Sequence, residues 1–376
     1  MVSNFVFYVF KSGLDHGFFH ASILGAIRTC KCFVVAYDSD RVFCWINGCR
    51  RKIHSFYKIN LLCFRRVKKG SKLLNTQTKQ SEYKIGNVAY LKALYDLMKP
   101  RVMSLAVFTC VVGFLIAPSK NVDYLFAILS IISVALGSGA AGALNCWYEA
   151  DVDSVMSRTC LRPIPTGKLT RKQALIFGTI SSFVSVLALY FFSNIVAASL
   201  LALTISFYVF VYTIWLKRKT PQNIVIGGAA GALPPVIGWS IATGSISLEP
   251  IILFLIIFIW TPSHFWALSL FKSEDYKKAN IPMLPVTSGV DITKKNILVY
   301  SILLFPVAIA PYYFKFLGLI YLSFSLPLSI YYIFICFKLF MTKDQNSEKN
   351  IAKQIFAFSI LYLFAIFISI LIDKFA

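Results

Sequence analysis

The chain has 376 residues, 57% of them hydrophobic and only 14% charged, with 38 Lys and Arg against 16 Asp and Glu. Its mean hydropathy is +0.69. A soluble domain is apolar in at most about half of its residues and charged in about a quarter. No soluble core hides this much apolar surface, and the disordered and collagen-like classes fall with it. A polytopic membrane protein remains. The formal net charge of +22 raises nucleic acid as a partner. In so apolar a chain, however, basic residues set membrane orientation or meet anionic lipid. The expected partner is therefore the lipid bilayer, with no nucleic acid.

Residues 1–98 stand apart. They hold 16 Lys and Arg against 5 Asp and Glu, and the basic run RRVKKGSK at 65–72 leads into the polar stretch LNTQTKQSEYKIGN. The order of charged, apolar and small residues that marks a signal peptide is absent. The stretch is acid-poor like a mitochondrial presequence, but its Phe, Tyr and Cys content fits one badly. It reads as a basic N-terminal extension, poorly ordered, a presequence or a start-site artefact. Of the nine cysteines, five fall here. The CKC at 30–32 lacks the spacing of a zinc site, and nothing reads as a disulfide framework.

From residue 99 to 376 the pattern is regular. A helix rises about 1.5 Å per residue, so about 20 apolar residues cross a bilayer core. Nine spans are predicted, at 102–118, 123–147, 173–193, 196–216, 222–243, 249–270, 296–314, 316–338 and 353–372. Backbone groups in lipid must bond within their own segment, so each is a helix. Alternate loops are basic: Lys99 and Arg101, then Arg158, Arg162 and Lys168, then Lys217 to Lys219, then Lys272, Lys277 and Lys278, then Lys343 and Lys349. By the positive-inside rule the N-terminus is cytoplasmic and the C-terminus outside.

The chemistry concentrates at the end of the second span, in Asn145-Cys-Trp-Tyr-Glu149-Ala-Asp151-Val-Asp153, followed by Arg158 and Arg162. At about 100° per residue, Asn145, Glu149 and Asp153 fall within about 80° of one another on one helical face, and Asp151 points elsewhere. Carboxylates beside a membrane-embedded Asn are costly unless wet, paired or metal-bound. Oxygen donors of this kind suit Mg²⁺, which commonly bridges carboxylates to substrate phosphates. Arginines suit the phosphate oxygens. The plainer alternative is an acidic helix end balanced by loop arginines.

A second polar cluster, on the same side by the loop charges, runs from Trp260 through His264, Lys272, Glu274 and Asp275. Two acid clusters facing one side can hold two metal ions across a diphosphate. His264 is the single His after residue 98. It reads either as a hydrogen-bonded structural residue, as a haem-iron ligand, or as a proton shuttle. Between the clusters, the Gly/Ala run at 227–232 permits close helix packing, and Pro234-Pro235 should kink the fifth span.

These motifs together resemble the UbiA superfamily of intramembrane prenyltransferases, and within it the haem O synthases. The carrying segments are KPRVMSLAVFT (99–109), NCWYEADVDSVMSRT with RPIP (145–165), YTIWLKRKTPQNIVIGGAAGALPPVIGW (212–239) and WTPSHFWALSLFKSEDYKKANIPMLPV (260–286). Glu149 stands where the family usually has Asp, and Ser263 where a second Pro is usual. The resemblance covers about residues 95–375. It implies an all-α bundle of nine transmembrane helices around a central cavity. It implies farnesyl transfer from farnesyl diphosphate to a vinyl group of haem b, with water captured, giving haem O.

The resemblance assigns Asn145, Glu149 and Asp153 to catalysis, and Glu149, Asp151, Asp153 and Asp275 to Mg²⁺. Diphosphate falls to Lys99, Arg101, Arg158, Arg162, Lys217, Arg218 and Lys272, and haem to His264. A haem A synthase would take the product. The composition and short loops point to a bacterial inner membrane, with the mitochondrial inner membrane as the alternative. A quinone-precursor prenyltransferase would share the first motif without calling for His264. A transporter would instead carry charges at helix midplanes.

Overall fold

A computed structural model describes residues 86–118 and 123–376, together with two strands nearer the N-terminus. The chain divides into two compact units, 1–69 and 70–376.

In the first unit, β1 (Phe33–Asp38) pairs antiparallel with β2 (Arg41–Trp45), from Phe33 opposite Trp45 to Asp38 opposite Arg41. The register slips between Val34 and Ala36. Val, Phe, Tyr and Trp favour such a pleated pair. These strands are an exception to the all-α expectation, and they escape a search for membrane-length apolar runs. The rest of the expectation for the extension lies outside the described residues.

The second unit is helical. In order it comprises α1 (Asn87–Leu97), α2 (Pro100–Ile116), α3 (Tyr124–Tyr148), α4 (Ala150–Val155) and α5 (Arg171–Phe192). There follow α6 (Ile195–Ser206), running into a π-helical stretch over Phe207–Leu216, then α7 (Asn223–Ala232) and α8 (Pro234–Thr243). The unit ends with α9 (Leu248–Phe271), α10 (Ser273–Lys278), α11 (Leu284–Thr287), α12 (Val290–Tyr313), α13 (Leu319–Met341) and α14 (Gln345–Phe375).

Among the described residues eight spans are long and apolar enough to cross a membrane, and the bent pair α1–α2 makes a ninth. Exposed Phe183, Phe191, Phe210 and Phe334 face outward, as helices in lipid require. The α1–α2 bend is 56°. Pro100 at the start of α2 has no N–H to continue the α1 ladder and disfavours a helical residue before it. Lys99 accordingly adopts a left-handed φ of 55°.

Helix α1, which precedes residue 99, packs with the helices that follow it. Ala93 and Leu97 of α1 are buried with Ala143, Cys146, Leu169 and Ala174. Its mixed sequence NVAYLKALYDL gives no apolar run, so composition alone assigned it to the extension. Pro234-Pro235 interrupts the helix at Leu233, yet α7 and α8 run on as one 21-residue span. The kink expected there stays below the 56° of α1–α2. Helices α12 and α14 begin several residues before their predicted spans, because polar turns outside the bilayer add nothing to a hydropathy signal.

The two largest of four apolar clusters hold most of the bundle. The larger gathers α9, α12, α13 and α14 with parts of α2 and α8, and the smaller gathers α3, α5, α6 and the π stretch. Helix α2 meets α8 backbone to backbone: a Cβ on Gly238 would land on the Cys110 carbonyl oxygen, and one on Gly113 on that of Pro235. Overpacking of this kind costs roughly 1–3 kcal/mol. Gly238→Ala is therefore expected to lower the Tm in detergent, whereas Gly231→Ala, which meets open space, should leave it unchanged.

Candidate active site

The acid row forms because α3 does not truly end at Tyr148. Glu149 sits at a loosened joint, but its N–H donates to the Asn145 carbonyl at 2.9 Å and the Asp153 N–H to the Glu149 carbonyl at 2.8 Å. The four-residue period therefore carries through into α4. Asn145, Glu149 and Asp153 lie on one covered face at 1%, 3% and 2% exposure, while Asp151 points outward.

Each acid is held by a cation. Arg162 Nη1 donates to both oxygens of Asp153 at 2.8 and 2.7 Å. Lys217 pairs with Glu149. Arg218 grips Asp151 through two bonds, at 2.9 and 2.8 Å, with Arg171 at 4.0 Å. Lys99 donates to Asn145 Oδ1. Burial on its own would raise the Glu149 pKa, but the Lys217 and Lys99 ammonium groups hold it below the usual carboxylate value. Burial likewise opposes the charges of Lys217 and Arg162, and the adjacent Glu149 and Asp153 overcome it and raise both. Glu149 is thus ionised and neutralised in place, as a buried charge must be.

The π-helical stretch completes the site. Asn145 Nδ2 donates to Thr213 Oγ1 at 3.0 Å, and the Thr213 hydroxyl donates to the Tyr208 carbonyl, five residues back, at 2.9 Å. Such windings frequently mark functional sites. Here it places Tyr208 and Tyr212, with ring centroids 5.3 Å apart, beside Lys217, whose ammonium lies 5.6 Å from the Tyr212 ring. Gly227 has no Cβ, which leaves room for the Tyr212 ring.

The second acid cluster reaches the first. The Ser157 hydroxyl donates to Asp275 Oδ2 at 2.5 Å, across 118 residues, and Lys272 stands 4.0 Å from the same carboxylate. Beneath this bond Val152, Met156, Ile224, Tyr276, Ile281 and Met283 form one apolar cluster that joins the three loops. Glu274, Arg101 and Arg158 are exposed and make no ion pair among the described residues.

His264 is buried deeper in the bundle. Its Nδ1 lies 2.6 Å from Ser359 Oγ on α14. Trp260 and Phe356 stack on its ring at 4.3 and 4.6 Å. The sequence reading did not single out Tyr208, Tyr212, Thr213, Ser157, Phe356 or Ser359.

Hard oxygen donors on one buried face, with cations at hand for an anion, fit a divalent metal with a diphosphate in donor chemistry. As the side chains stand, no three His, Cys, Asp or Glu among the described residues come together to hold a metal ion. The acids are engaged with their cations instead.

Among the described residues, a bundle of eight or nine spans with two acid motifs joined at one end is the architecture of an intramembrane enzyme. The model of the UbiA prenyltransferase family matches residues 106–367. The chain belongs to that family. It is 61% identical over 302 residues to "Protoheme IX farnesyltransferase" of Pelagibacter ubique, covering 80% of this chain and 99% of the relative. It is 46% identical over 301 residues to the protein of the same name from Parvibaculum lavamentivorans, covering 80% and 94%. The fold is shared with a digeranylgeranylglyceryl phosphate synthase at TM-score 0.64 and 20% identity, covering 76% of this chain and 98% of that one. It is shared also with a UbiA homologue of Archaeoglobus fulgidus bound to DMAPP and Mg²⁺, at TM-score 0.56 and 18% identity, covering 74% and 99%.

Proposed function

We propose that this chain transfers the farnesyl group of farnesyl diphosphate to a vinyl group of haem b. The allylic C–O bond breaks and diphosphate leaves. The farnesyl C1 bonds to a vinyl carbon, and water adds to the resulting cation with loss of a proton, giving haem O. The observation that carries this reading is the buried row Asn145, Glu149 and Asp153, each held by a cation. It stands in a chain 61% identical to a relative named for this reaction.

Glu149 and Asp153 would hold Mg²⁺, with Asp151 and Asp275 as the outer acids. When bound, the metal neutralises charge that builds on the departing diphosphate. Lys217, Arg162 and Lys99, now paired within the row, are the cations that move onto the diphosphate oxygens, with Arg218 and Lys272 at the rim and Arg101 and Arg158 still free to join them. Tyr208 and Tyr212 offer π-faces to an allylic cation. The apolar cluster over the loops limits water, which would quench that cation. His264 binds the haem iron.

The same reading places the protein in a bacterial inner membrane, N-terminus cytoplasmic and C-terminus outside, with its product passed to a haem A synthase. The test is to express the chain with haem b and farnesyl diphosphate and run the haem extracts on HPLC. A retained farnesylated haem peak is expected. Its absence, with transfer to an aromatic quinone precursor instead, overturns the acceptor assignment. Residues 1–85 contain none of the site residues, so a chain starting at Gly86 is expected to insert and turn over like the full one. Inactivity of properly inserted truncated protein would make the extension a required part.

A further inference from the structure

The environment of His264 constrains which nitrogen carries its proton. Ser359, fully buried, places Oγ 2.7 Å from the Phe356 carbonyl oxygen and 2.6 Å from His264 Nδ1. A carbonyl only accepts, and a serine hydroxyl has one proton. If that proton sits on the Phe356 carbonyl, Oγ offers lone pairs to the imidazole and to the Tyr332 hydroxyl it also meets, and Nδ1 is the N–H. Nε2 then keeps a lone pair in the ring plane. No hydrogen-bond partner meets Nε2 among the described residues, and it is not one of the sealed, unpartnered polar atoms.

Both ring faces are closed. Trp260 covers one at 4.3 Å and 18° between planes, Phe356 the other at 4.6 Å and 23°, and Phe265 stands edge-on at 5.3 Å. The ring therefore neither tilts nor offers a π-face, and its open edge is the direction left for a ligand. Ser359 anchors this arrangement twice, because its backbone carbonyl also accepts the Trp260 indole N–H at 2.9 Å. The clamp joins α9 to α14 at the one imidazole of the helical body.

We propose that Ser359 is a positioning residue: its hydroxyl fixes His264 as the Nδ1–H tautomer and leaves Nε2 free to bind haem iron. This rests on His264 being the haem ligand. Outer-shell partners of a ligating histidine set its tautomer and orientation, and their loss typically weakens metal binding about 10- to 100-fold. The opposite arrangement, with the Ser359 proton on Nδ1, would put the imidazole proton on Nε2 and disable it as a ligand.

The test uses full-length protein labelled with ¹⁵N-histidine, with the His264 signals identified by subtracting the His264→Ala spectrum. It adds ferric-haem titrations followed by the Soret band and a binding assay with a non-hydrolysable farnesyl diphosphate analogue. The wild type should show the Nδ1–H pattern. Ser359→Ala should lose the single tautomer and bind haem about 10- to 100-fold more weakly, with the analogue's affinity unchanged. Ser359→Thr, which keeps the hydroxyl, should restore both. An Nε2–H pattern in the wild type overturns the proposal. So does a Ser359→Ala protein with wild-type tautomer and haem affinity, one that loses the diphosphate analogue as well, or a Thr variant no better than Ala. If His264→Ala binds haem like the wild type, the ligand reading itself fails, and the tautomer measurement still reports on what Ser359 does.

Discussion

Asp153→Asn is expected to abolish farnesyl transfer while leaving the bundle folded. Asp153 is buried and grips Arg162 through both oxygens. Removing the side chain with Ala would strand a largely covered guanidinium, a loss that in buried pairs reaches about 3–5 kcal/mol of stability. A dead Asp153→Ala protein would therefore confound misfolding with lost chemistry. The Asn variant keeps one oxygen for Arg162 but removes the charge and turns the second acceptor into a donor, so it disturbs the pair less than Ala does. If Asp153 helps hold the metal that neutralises the departing diphosphate, its loss costs several kcal/mol of transition-state stabilisation, and each ~1.4 kcal/mol is about tenfold in rate. A fall of about a hundredfold or more in haem O production is expected, with a smaller loss of Tm than Asp153→Ala shows and with folded protein still inserted in the membrane. Normal turnover would remove Asp153 from the metal site. Glu149→Asp, which shortens the arm and keeps the charge, should stay active, and Glu149→Gln should not.

What the sequence made legible follows from where its constraints are strong. A bilayer core of fixed thickness forces spans of similar length, so nine apolar runs could be placed, most ends to within a few residues and the starts of α12 and α14 later than the helices begin. The face shared by Asn145, Glu149 and Asp153 follows from helical periodicity alone. The partners of that row do not. Arg218 meets Asp151 across 67 residues, and Ser157 meets Asp275 across 118; only tertiary packing brings such pairs together. The π winding over Phe207–Leu216 was also hidden, since YVFVYTIWL reads as ordinary apolar helix. Its widened turn sets the Thr213 hydroxyl against the Tyr208 carbonyl five residues back, and that hydroxyl accepts from Asn145. The extension was read by composition alone, which missed both the hairpin and α1.

His264→Phe should separate the two remaining accounts of the imidazole. In one, Nε2 binds haem iron. In the other, the ring is only a bond between α9 and α14 through Ser359, a type of contact typically worth about 0.6 kcal/mol in a membrane. An Ala variant would remove ring volume from between Trp260 and Phe356, and cavities of that kind are costly in themselves. Phe refills the stack and deletes both nitrogens. If His264 is the ligand, the purified Phe variant should bind ferric haem much more weakly and show no Soret shift, while its Tm and its affinity for farnesyl diphosphate stay near wild type. Added imidazole should restore part of the shift in His264→Ala, where space for it exists, and none in His264→Phe. If the Phe variant keeps wild-type haem affinity and spectrum, the iron ligand lies elsewhere. The stacked ring would then be a helix-packing element beside the reaction rather than part of it.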